Sequence, residues 1–512
     1  MLKKLCFLLV LTFTSCGIFN VKIPQPKTEF RGVWVATVVN IDWPKSGFDA
    51  LEKQKSDYLD ILDFYSDLNF NAVIVQIRTA GDAFYPSNCA PWSRFLTGKE
   101  GTSPKLNYDP LPWMIKEAHL RGMEFHAWLN PYRATFDDKI EVLSETHDYN
   151  LHPDWMIKYG KKYYYNPGLP QVQEHLVSIM DEVVRNYDID AVHFDDYFYP
   201  YKITGEVFND SVAFATHALP QQSLDDWRRS NVDSLVKNIH SSIKEKKPWV
   251  QFGISPFGVW KNKSTDPKGS DTKAGQTTYE DLYADPLTWM KNGWIDYLVP
   301  QVYWSMDLPV ASHRKIMAWW ANNTTNTNLY MGNGAYKIRN NTDKAWKRKK
   351  ELPHQLLLAR NTDKVQGNVL FSAKSLQGNN TDVVRYLKRK YYRHIALPPV
   401  SPLADNQFLG KVRVLNMEEN TEHFKFRVEK SEEETKRYVL VYAAKKMKKL
   451  SSENSQQIVA KIKITKENSF SVAKDKLKGK KHIALTFIDR FGRESDSIVL
   501  HLDQIHSYDT KR

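Results

Sequence analysis

The sequence predicts an α/β protein: a (β/α)8 TIM barrel followed by a small all-β sandwich of the fibronectin or Ig-like type. Eight apolar runs rich in β-branched and aromatic residues alternate with eight runs of helical periodicity, over roughly 360 residues. The segments that follow the strand-like runs are long, and those that follow the helical runs are short. Beyond Tyr392 short alternating runs with turn residues replace this pattern.

The strand–helix units fill a predicted barrel domain over residues 28–395. In the first helical run Tyr58, Leu62 and Tyr65 recur at the spacing of one helix face. Strands are predicted at 31–38, 71–77, 124–129, 191–195, 251–256, 297–303, 328–334 and 367–372. Helices are predicted at 51–68, 110–121, 171–187, 223–246, 286–292, 309–322, 342–361 and 382–392.

The loops are unequal at the two ends of the predicted barrel. Four long segments follow strands, at 78–109, 130–169, 198–222 and 257–285. Segments after helices are as short as 69–70 and 122–123. In this fold the loops after the strands build the active site, so the long ones predict a substrate cleft at the carboxyl ends of the strands.

Residues 398–505 predict a separate C-terminal domain. About seven short alternating strands in about 100 residues are typical of a fibronectin type III-like sandwich. The Cys…Trp…Cys pattern of antibody domains is absent, which argues against that class.

The first 16 residues predict a lipoprotein signal peptide. Two lysines precede an apolar run of about ten residues, which is too short to span a bilayer, and the run ends at Ser15-Cys16. This ending resembles a bacterial lipobox, with Cys16 as the lipidated residue, although Phe13 replaces the usual leucine. Ordinary signal cleavage is the alternative. Residues 17–27 then form a polar tether.

The cysteine content, the net charge and the absence of certain motifs bear on which ligands and partners are expected. After processing Cys89 is left without a partner cysteine, and no metal-ligand spacing is present, so neither a disulfide, a metal site nor a cofactor is expected. The net charge of +13 is compatible with an anionic envelope polymer or membrane surface, but solvated helix faces explain it more simply. No nucleic-acid-binding motif occurs, so a nucleic-acid partner is not expected.

The chemistry is predicted at the end of the fourth strand, in the stretch His193-Phe194-Asp195-Asp196-Tyr197. Side chains alternate along a strand. If Val192 and Phe194 pack outward against helices, His193 and Asp195 point into the barrel mouth, and Asp196 lies where the chain turns. Asp195 and Asp196 are therefore the candidate catalytic pair; an ordinary Asp-rich turn is the simpler alternative.

Other strand ends carry amides, guanidiniums, phenols and indoles, which a buried barrel does not need. Indoles and phenols stack on pyranose rings, while amides and charged groups bind hydroxyls, so this set predicts a sugar site. Arg31 and Arg78 could equally pair with inward-facing carboxylates. The predicted substrate-binding residues are Arg31, Trp34, Gln76, Arg78, Trp128, Asn130, Arg133, His193, Tyr197, Gln301, Tyr303 and Trp304.

Cleavage of a glycosidic bond requires a proton donor and a second group that stabilises the oxocarbenium ion. Because neighbouring strand residues need not face one point, the second carboxylate could instead be Glu280 or Asp307. Asp285 precedes Pro286 and fits a helix cap.

Four ordered motifs resemble bacterial glycosyl-hydrolase-like family ten over residues 28–392. They are Glu29–Thr37, Trp128–Arg133, His193–Pro200 and Pro300–Trp304. The resemblance implies a TIM-barrel glycoside hydrolase, of a family in which some members are envelope lipoproteins that cut peptidoglycan glycan strands. The strand-four pattern His193–Pro200 is similar, more distantly, to that of barrel enzymes in which the substrate's 2-acetamido group is the nucleophile. That similarity implies that Tyr303 orients the acetamido group and that the Asp pair divides the acid and orienting roles. Tyr197 stands where those enzymes have glutamate.

Taken together, the sequence predicts a glycoside hydrolase of amino-sugar polymers, most readily peptidoglycan glycan, that is lipid-anchored in the cell envelope and faces the periplasm from the outer membrane. Two alternatives remain at this point: hydrolysis of another host or dietary polysaccharide, and carbohydrate binding without catalysis.

Overall fold

A computed structural model describes residues 23–405, 409–429 and 436–503. The chain forms a closed eight-stranded parallel barrel with surrounding helices, and two small antiparallel sheets follow it. The predicted fold class is confirmed. The predicted signal peptide, the lipidation site Cys16 and residues 17–22 of the tether lie outside the described residues.

All eight predicted barrel strands occur. Around the barrel their order is β1-β10-β9-β8-β7-β6-β3-β2, with every neighbouring pair parallel. Their bounds are β1 Phe30–Val35, β2 Ala72–Arg78, β3 Glu124–Leu129, β6 Ala191–Phe194, β7 Gln251–Ile254, β8 Tyr297–Leu298, β9 Asn328–Asn333 and β10 Val365–Leu370.

Eight of the helices match the predicted ones. The predicted helix at 342–361 begins only at Glu351, because Lys344–Lys347 forms a separate 3-10 turn. The helices are α1 Leu51–Asp67, α2 Arg94–Thr97, α3 Pro110–Leu120, α4 Asp148–Leu151, α5 Pro170–Asn186, α6 Ser211–His217, α7 Leu224–Lys246, α8 Thr278–Asp281, α9 Pro286–Lys291, α10 His313–Asn323, α11 Glu351–Arg360 and α12 Thr381–Lys390.

The long loops after the strands carry structure that the sequence did not predict. The segment after β3 holds a hairpin of β4 (Met156–Tyr159) and β5 (Lys162–Tyr165), and α2, α4, α6 and α8 are short helices of these loops.

The C-terminal region contains two antiparallel sheets, β11-β12-β15 and β14-β13-β16-β17. Apolar side chains from both sheets, among them Phe426, Val441, Phe470 and Leu485, form one buried core, as in a sandwich. The strands are β11 Val414–Glu419, β12 His423–Val428, β13 Lys436–Ala444, β14 Ile458–Lys463, β15 Ser469–Ala473, β16 His482–Asp489 and β17 Ile498–His501.

Alternation along the barrel strands separates two cores. Val192 and Phe194 of β6 face outward into the cluster between strands and helices, as predicted. His193 faces inward and is fully buried. The barrel is therefore packed on both faces of each strand, and polar inward residues must find partners inside it.

A hydrogen-bonded column of inward side chains fills the barrel axis. Trp34 Nε1 donates to His193 Nε2 at 3.2 Å, and His193 Nδ1 lies 3.0 Å from the Tyr297 hydroxyl. The same hydroxyl lies 2.8 Å from His126 Nδ1, and His126 Nε2 lies 3.0 Å from Glu124 Oε2. The column thus runs from the carboxyl ends of the strands to their amino ends.

The C-terminal sandwich contacts the amino-end side of the barrel through buried charges. Arg437 of β13 pairs with Asp190, which precedes β6 and also accepts from Phe125 N at 2.8 Å. Burial alone would raise the pKa of Asp190, but Arg437 and His119 hold it well below its ordinary value.

We expect Arg437→Ala to lower the free energy of unfolding by about 1.5–3 kcal/mol, because it removes a buried charged hydrogen-bond donor from Asp190. Urea unfolding of the full chain measures this, with the exposed Arg427 of β12 replaced by alanine as the control. Equal stability of the two variants would contradict the prediction.

Within the described residues, no helix is long and apolar enough to cross a bilayer.

Candidate active site

A cavity of about 220 Å³ opens at the carboxyl ends of the barrel strands. It contains both predicted catalytic residues and draws on the ends of most of the barrel strands. Its lining residues are Trp34, Ala36, Val38, Ile41, Gln76, Trp128, Asn130, Arg133, Asp195, Asp196, Tyr197, Tyr201, Ser255, Gln301, Tyr303 and Phe371.

Asp195 and Asp196 follow β6 directly and are buried, with exposed fractions of 4% and 3%. Asp195 Oδ1 accepts from Tyr197 N at 3.2 Å. Asp196 Oδ2 accepts a hydrogen bond from the Tyr201 hydroxyl. The two carboxyls therefore meet in one cavity but have different hydrogen-bond partners.

This environment separates the acidities of the two carboxyls. Burial and the neighbouring Asp196 raise the pKa of Asp195 to about 8, in spite of the opposing effect of Arg133. Burial raises the pKa of Asp196 to about 6, while the hydrogen bond from Tyr201 limits the rise. The pair therefore keeps a proton at higher pH than exposed carboxyls do, as acid–base chemistry near neutral pH requires.

Arg133 supplies positive charge to the cavity. It is buried, and its guanidinium carbon lies 4.0 Å from the centroid of the Tyr197 ring. The cation therefore stabilises the ionised form of the acid pair and fixes Tyr197 at the cavity wall.

Amides and aromatic rings complete the wall. Trp128 Nε1 donates to Asn130 Oδ1 at 3.0 Å, and Asn130 Nδ2 donates to the Thr79 carbonyl at 3.0 Å. Gln301 Nε2 donates to the Ser255 carbonyl at 2.8 Å. These bonds hold Trp128 and both amides in fixed orientations.

The floor of the cavity is aromatic. Trp34 and Tyr303 meet edge to face with their ring centroids 6.5 Å apart. His193 lies beneath this floor rather than in the cavity lining, and burial together with His126 lowers its pKa well below the ordinary value. It is neutral and supports Trp34 from below.

Besides His193, three predicted substrate-binding residues do not line the cavity. Arg31 is on the outward face of β1 at the amino end of the barrel, where Nε donates to Glu29 Oε2 at 2.6 Å. Arg78 is fully buried and donates to the Tyr165 hydroxyl at 3.3 Å. Trp304 packs against Phe257, with ring centroids 5.5 Å apart. None of the three is part of the cavity lining, and Arg31 and Arg78 make buried structural contacts instead.

The alternative second carboxylates also lie elsewhere. Asp307 is exposed and pairs with Arg314 at 3.1 Å, and Glu280 Oε2 accepts from Thr277 Oγ1 at 3.3 Å at the start of α8. Asp285 occupies the N-cap position of α9, and its Oδ2 accepts from Thr288 Oγ1 at 2.7 Å. Among the described residues that line the cavity, Asp195 and Asp196 are thus its only carboxylates.

Sequence reasoning missed six lining residues: Ala36, Val38, Ile41, Tyr201, Ser255 and Phe371. A signal for Tyr201 existed, since it continues the aromatic run after the Asp pair beyond Pro200. Ser255 stands at a predicted strand end but is small and chemically unremarkable by itself. Phe371 is the second-last residue of the eighth predicted strand, and its apolar side chain gave no sign that it faces a polar cavity.

A larger cavity of about 420 Å³ lies outside the barrel mouth beside Trp43, Tyr108 and Trp113. Among the described residues that line it, Asp49 is the one carboxylate, so it cannot supply paired-acid chemistry. In the part of the chain that the structure describes, no group of three or more His, Cys, Asp or Glu side chains could hold a metal ion.

Comparison with known proteins agrees with this geometry. Residues 29–348 match the family model described as Glycosyl hydrolase-like 10. The chain is 45% identical over 413 residues to glycosyl hydrolase YngK of Bacillus subtilis, covering 79% of this chain and 81% of that protein. It is 36% identical over 391 residues to glycosyl hydrolase DigH of Escherichia coli K12, covering 72% and 88%.

Among solved structures, the chain resembles the PgaB glycoside hydrolase domain of Bordetella bronchiseptica, with 12% identity and a TM-score of 0.47, over 71% of this chain and 99% of that one. The family match spans more than half of the chain and includes every residue that lines the acidic cavity except Phe371. The chain therefore belongs to the glycosyl hydrolase-like 10 family and is a glycoside hydrolase.

Proposed function

We propose that this glycoside hydrolase cleaves polymers of N-acetylated amino sugars, and that the glycan strands of peptidoglycan are its substrate. The observation that carries the proposal is the pair Asp195 and Asp196, buried in one cavity with raised and unequal pKa values. The aromatic floor and the fixed amides support a pyranose ligand, since rings stack on aromatic faces and amides bind hydroxyl and acetamido groups.

In the proposed mechanism Asp195 is the general acid and protonates the glycosidic oxygen as the bond from C1 breaks. The 2-acetamido oxygen of the same sugar closes on C1 to give an oxazolinium ion, while ionised Asp196 holds the acetamido N–H. Water then attacks C1, the bond from C1 to the acetamido oxygen breaks to restore the acetamido group, and the proton released by the water goes to Asp195. The place of Asp195 and Asp196 in one cavity supports this division of roles, because one carboxyl can act on the leaving oxygen and the other on the acetamido group.

The substrate is tested with purified protein and glycan strands freed of stem peptides. We expect reducing ends to appear and mass spectrometry to show fragments that carry N-acetylated sugars. Asp307→Asn is the matched control, because this carboxylate is exposed and remote from the cavity. Release from neutral glucans but not from amino-sugar polymers would overturn the proposed substrate class.

We expect a bell-shaped pH profile whose two limbs lie above the ordinary carboxyl pKa of about 4. Activity should rise as Asp196 ionises near pH 6 and fall as Asp195 loses its proton near pH 8. Steady-state kinetics from pH 4 to 10 measure both limbs. A profile that falls steadily from pH 5 would contradict the assignment of Asp195 as the acid.

We also propose that Cys16 carries a lipid that anchors the enzyme in the outer membrane, facing the periplasm. The basic head, the short apolar run and Ser15-Cys16 support this location. Mass spectrometry of the mature N-terminus should find acyl groups, and Cys16→Ser should release the protein from the membrane fraction. An unacylated mature N-terminus would overturn the anchor.

A further inference from the structure

The cavity contains one amide side chain whose donor has no partner. Gln76 lies at the end of β2, faces inward and is 1% exposed. Its Nε2 atom is buried and makes no hydrogen bond within the described chain. A buried N–H group without a partner is costly, so this atom indicates a ligand or solvent oxygen in the cavity.

The orientation of this amide is fixed by the backbone. Gln76 Oε1 accepts from Thr37 N at 3.1 Å and from Val38 N at 2.9 Å. These N–H groups open the 3-10 turn Val38–Asn40, which leaves them without partners inside the turn. Flipping the amide would place its NH2 group against two donors, so Nε2 must stay on the other side.

The other two amides of the cavity are already engaged. Asn130 Nδ2 donates to the Thr79 carbonyl, and Gln301 Nε2 donates to the Ser255 carbonyl. Gln76 is therefore the amide in the described lining whose nitrogen has no hydrogen-bond partner at all.

The side chains that line the cavity with Gln76 indicate which substrate oxygen its Nε2 atom binds. The segment that fixes its Oε1 also contributes Ala36, Val38 and Ile41 to the cavity lining, and these side chains are apolar. An N-acetyl group presents a carbonyl oxygen beside a methyl group, which matches a cavity whose lining holds both an amide donor and apolar side chains. A hydroxyl group has no methyl to place there.

We infer that Gln76 Nε2 donates to the carbonyl oxygen of a substrate N-acetyl group, with the methyl group against Ala36, Val38 and Ile41. The inference rests on the proposed amino-sugar substrate and deepens it, because it makes Gln76 the residue that selects N-acetylated over de-N-acetylated sugars.

Two variants test the donor. Gln76→Glu keeps an acceptor for Thr37 N and Val38 N but loses the amide donor. Gln76→Met loses the donor without adding charge near Asp195. We expect both variants to lower kcat/KM on N-acetylated chito-oligosaccharides by about 10- to 100-fold, the effect of one buried hydrogen bond to substrate. Binding of fully de-N-acetylated oligosaccharides of equal length, which lack the acetamido nucleophile and so report affinity alone, should weaken much less in the variants.

Equal losses on both substrates would overturn the N-acetyl assignment in favour of a hydroxyl contact, and no loss on either would overturn the donor itself. If the wild-type enzyme cleaves no amino-sugar polymer, the proposed function fails, and binding tests the inference separately. Calorimetric titration of Asp195→Asn protein should then show tighter binding of diacetylchitobiose than of chitobiose, and Gln76→Glu should abolish that preference. Absence of any preference in the protein with Gln76 intact would overturn the inference.

Discussion

Replacing Asp195 with asparagine should lower kcat on peptide-free glycan by about 10²–10⁴-fold, because the leaving oxygen then departs without its proton donor. Asp196→Asn should cause a loss of similar size, since the ionised partner is removed from the same cavity. Single-turnover cleavage measures both effects, and circular dichroism establishes that the variants fold.

An aryl glycoside with an acidic leaving group distinguishes the proton-donor role of Asp195 from the acetamido-binding role of Asp196. Such a group departs without protonation, so Asp195→Asn should regain most of its activity on this substrate, whereas Asp196→Asn should not. Asp307→Asn should match the wild type on both substrates, because Asp307 pairs with Arg314 at the surface. Equal losses for Asp195→Asn on both substrates would remove it from the acid role.

Replacing Glu29 with glutamine should lower the free energy of unfolding by about 3–5 kcal/mol, because it leaves buried guanidiniums without their counter-ion. Glu29 is 4% exposed, and it lies 2.6 Å from Arg31 Nε and 2.5 Å from Arg360 Nε. This cluster joins the start of β1 to the end of α11, far from the acidic cavity. Urea unfolding measures the loss, and kcat of the folded variant should stay near that of the wild type.

The stabilisation that Glu29 provides should decrease as the pH is lowered. Burial would raise the pKa of Glu29, but Arg31 and Arg360 outweigh it and lower the pKa below its ordinary value. The ionised carboxylate therefore stabilises the fold above the unfolded-state pKa of about 4.3, and that contribution is lost as the pH falls through the lower folded-state value. The difference between wild type and Glu29→Gln should be full at pH 7 and shrink below pH 4. A constant difference would contradict the ionic origin.

The barrel was predictable because each of its strands carries its own local signal. The run that became β3 was predicted with its observed bounds, since a glutamate opens it and Asn130-Pro131 closes it. β8 is shorter than predicted, with only Tyr297–Leu298 in the ladder, because Pro300 interrupts the backbone donors of the apolar run.

The placement of the arginines was only partly predictable. Arg31 shares a strand face with Val33 and Val35, which pack toward the helices, so alternation alone could have placed it outside the barrel. Arg78 follows the inward-facing Gln76 by two residues, and alternation would aim it into the cavity. A register irregularity between these two residues redirects it, and no residue type in the sequence marks that irregularity.

Some contacts that build the site could not be predicted, because they join residues across a turn or on different strands. Tyr201 reaches Asp196 only because the chain turns after Pro200, and Gln76 binds the backbone of residues 37–38 across two strands. Local periodicity says which side chains share a face, but it does not say which loop supplies their partners.

The column along the barrel axis fixes where every one of its protons resides. His193 Nε2 accepts from Trp34, so its proton sits on Nδ1 and is donated to the Tyr297 oxygen. Tyr297 in turn donates to His126 Nδ1, which leaves the His126 proton on Nε2, directed at Glu124. The Trp34 indole therefore sets the tautomers of His193 and His126. All hydrogen bonds of the column then point the same way, from the carboxyl ends of the strands toward their amino ends. A second proton on His193 would point at the indole N–H, so His193 stays neutral, and the charged groups Asp196 and Arg133 lie in the cavity at the carboxyl ends of the strands.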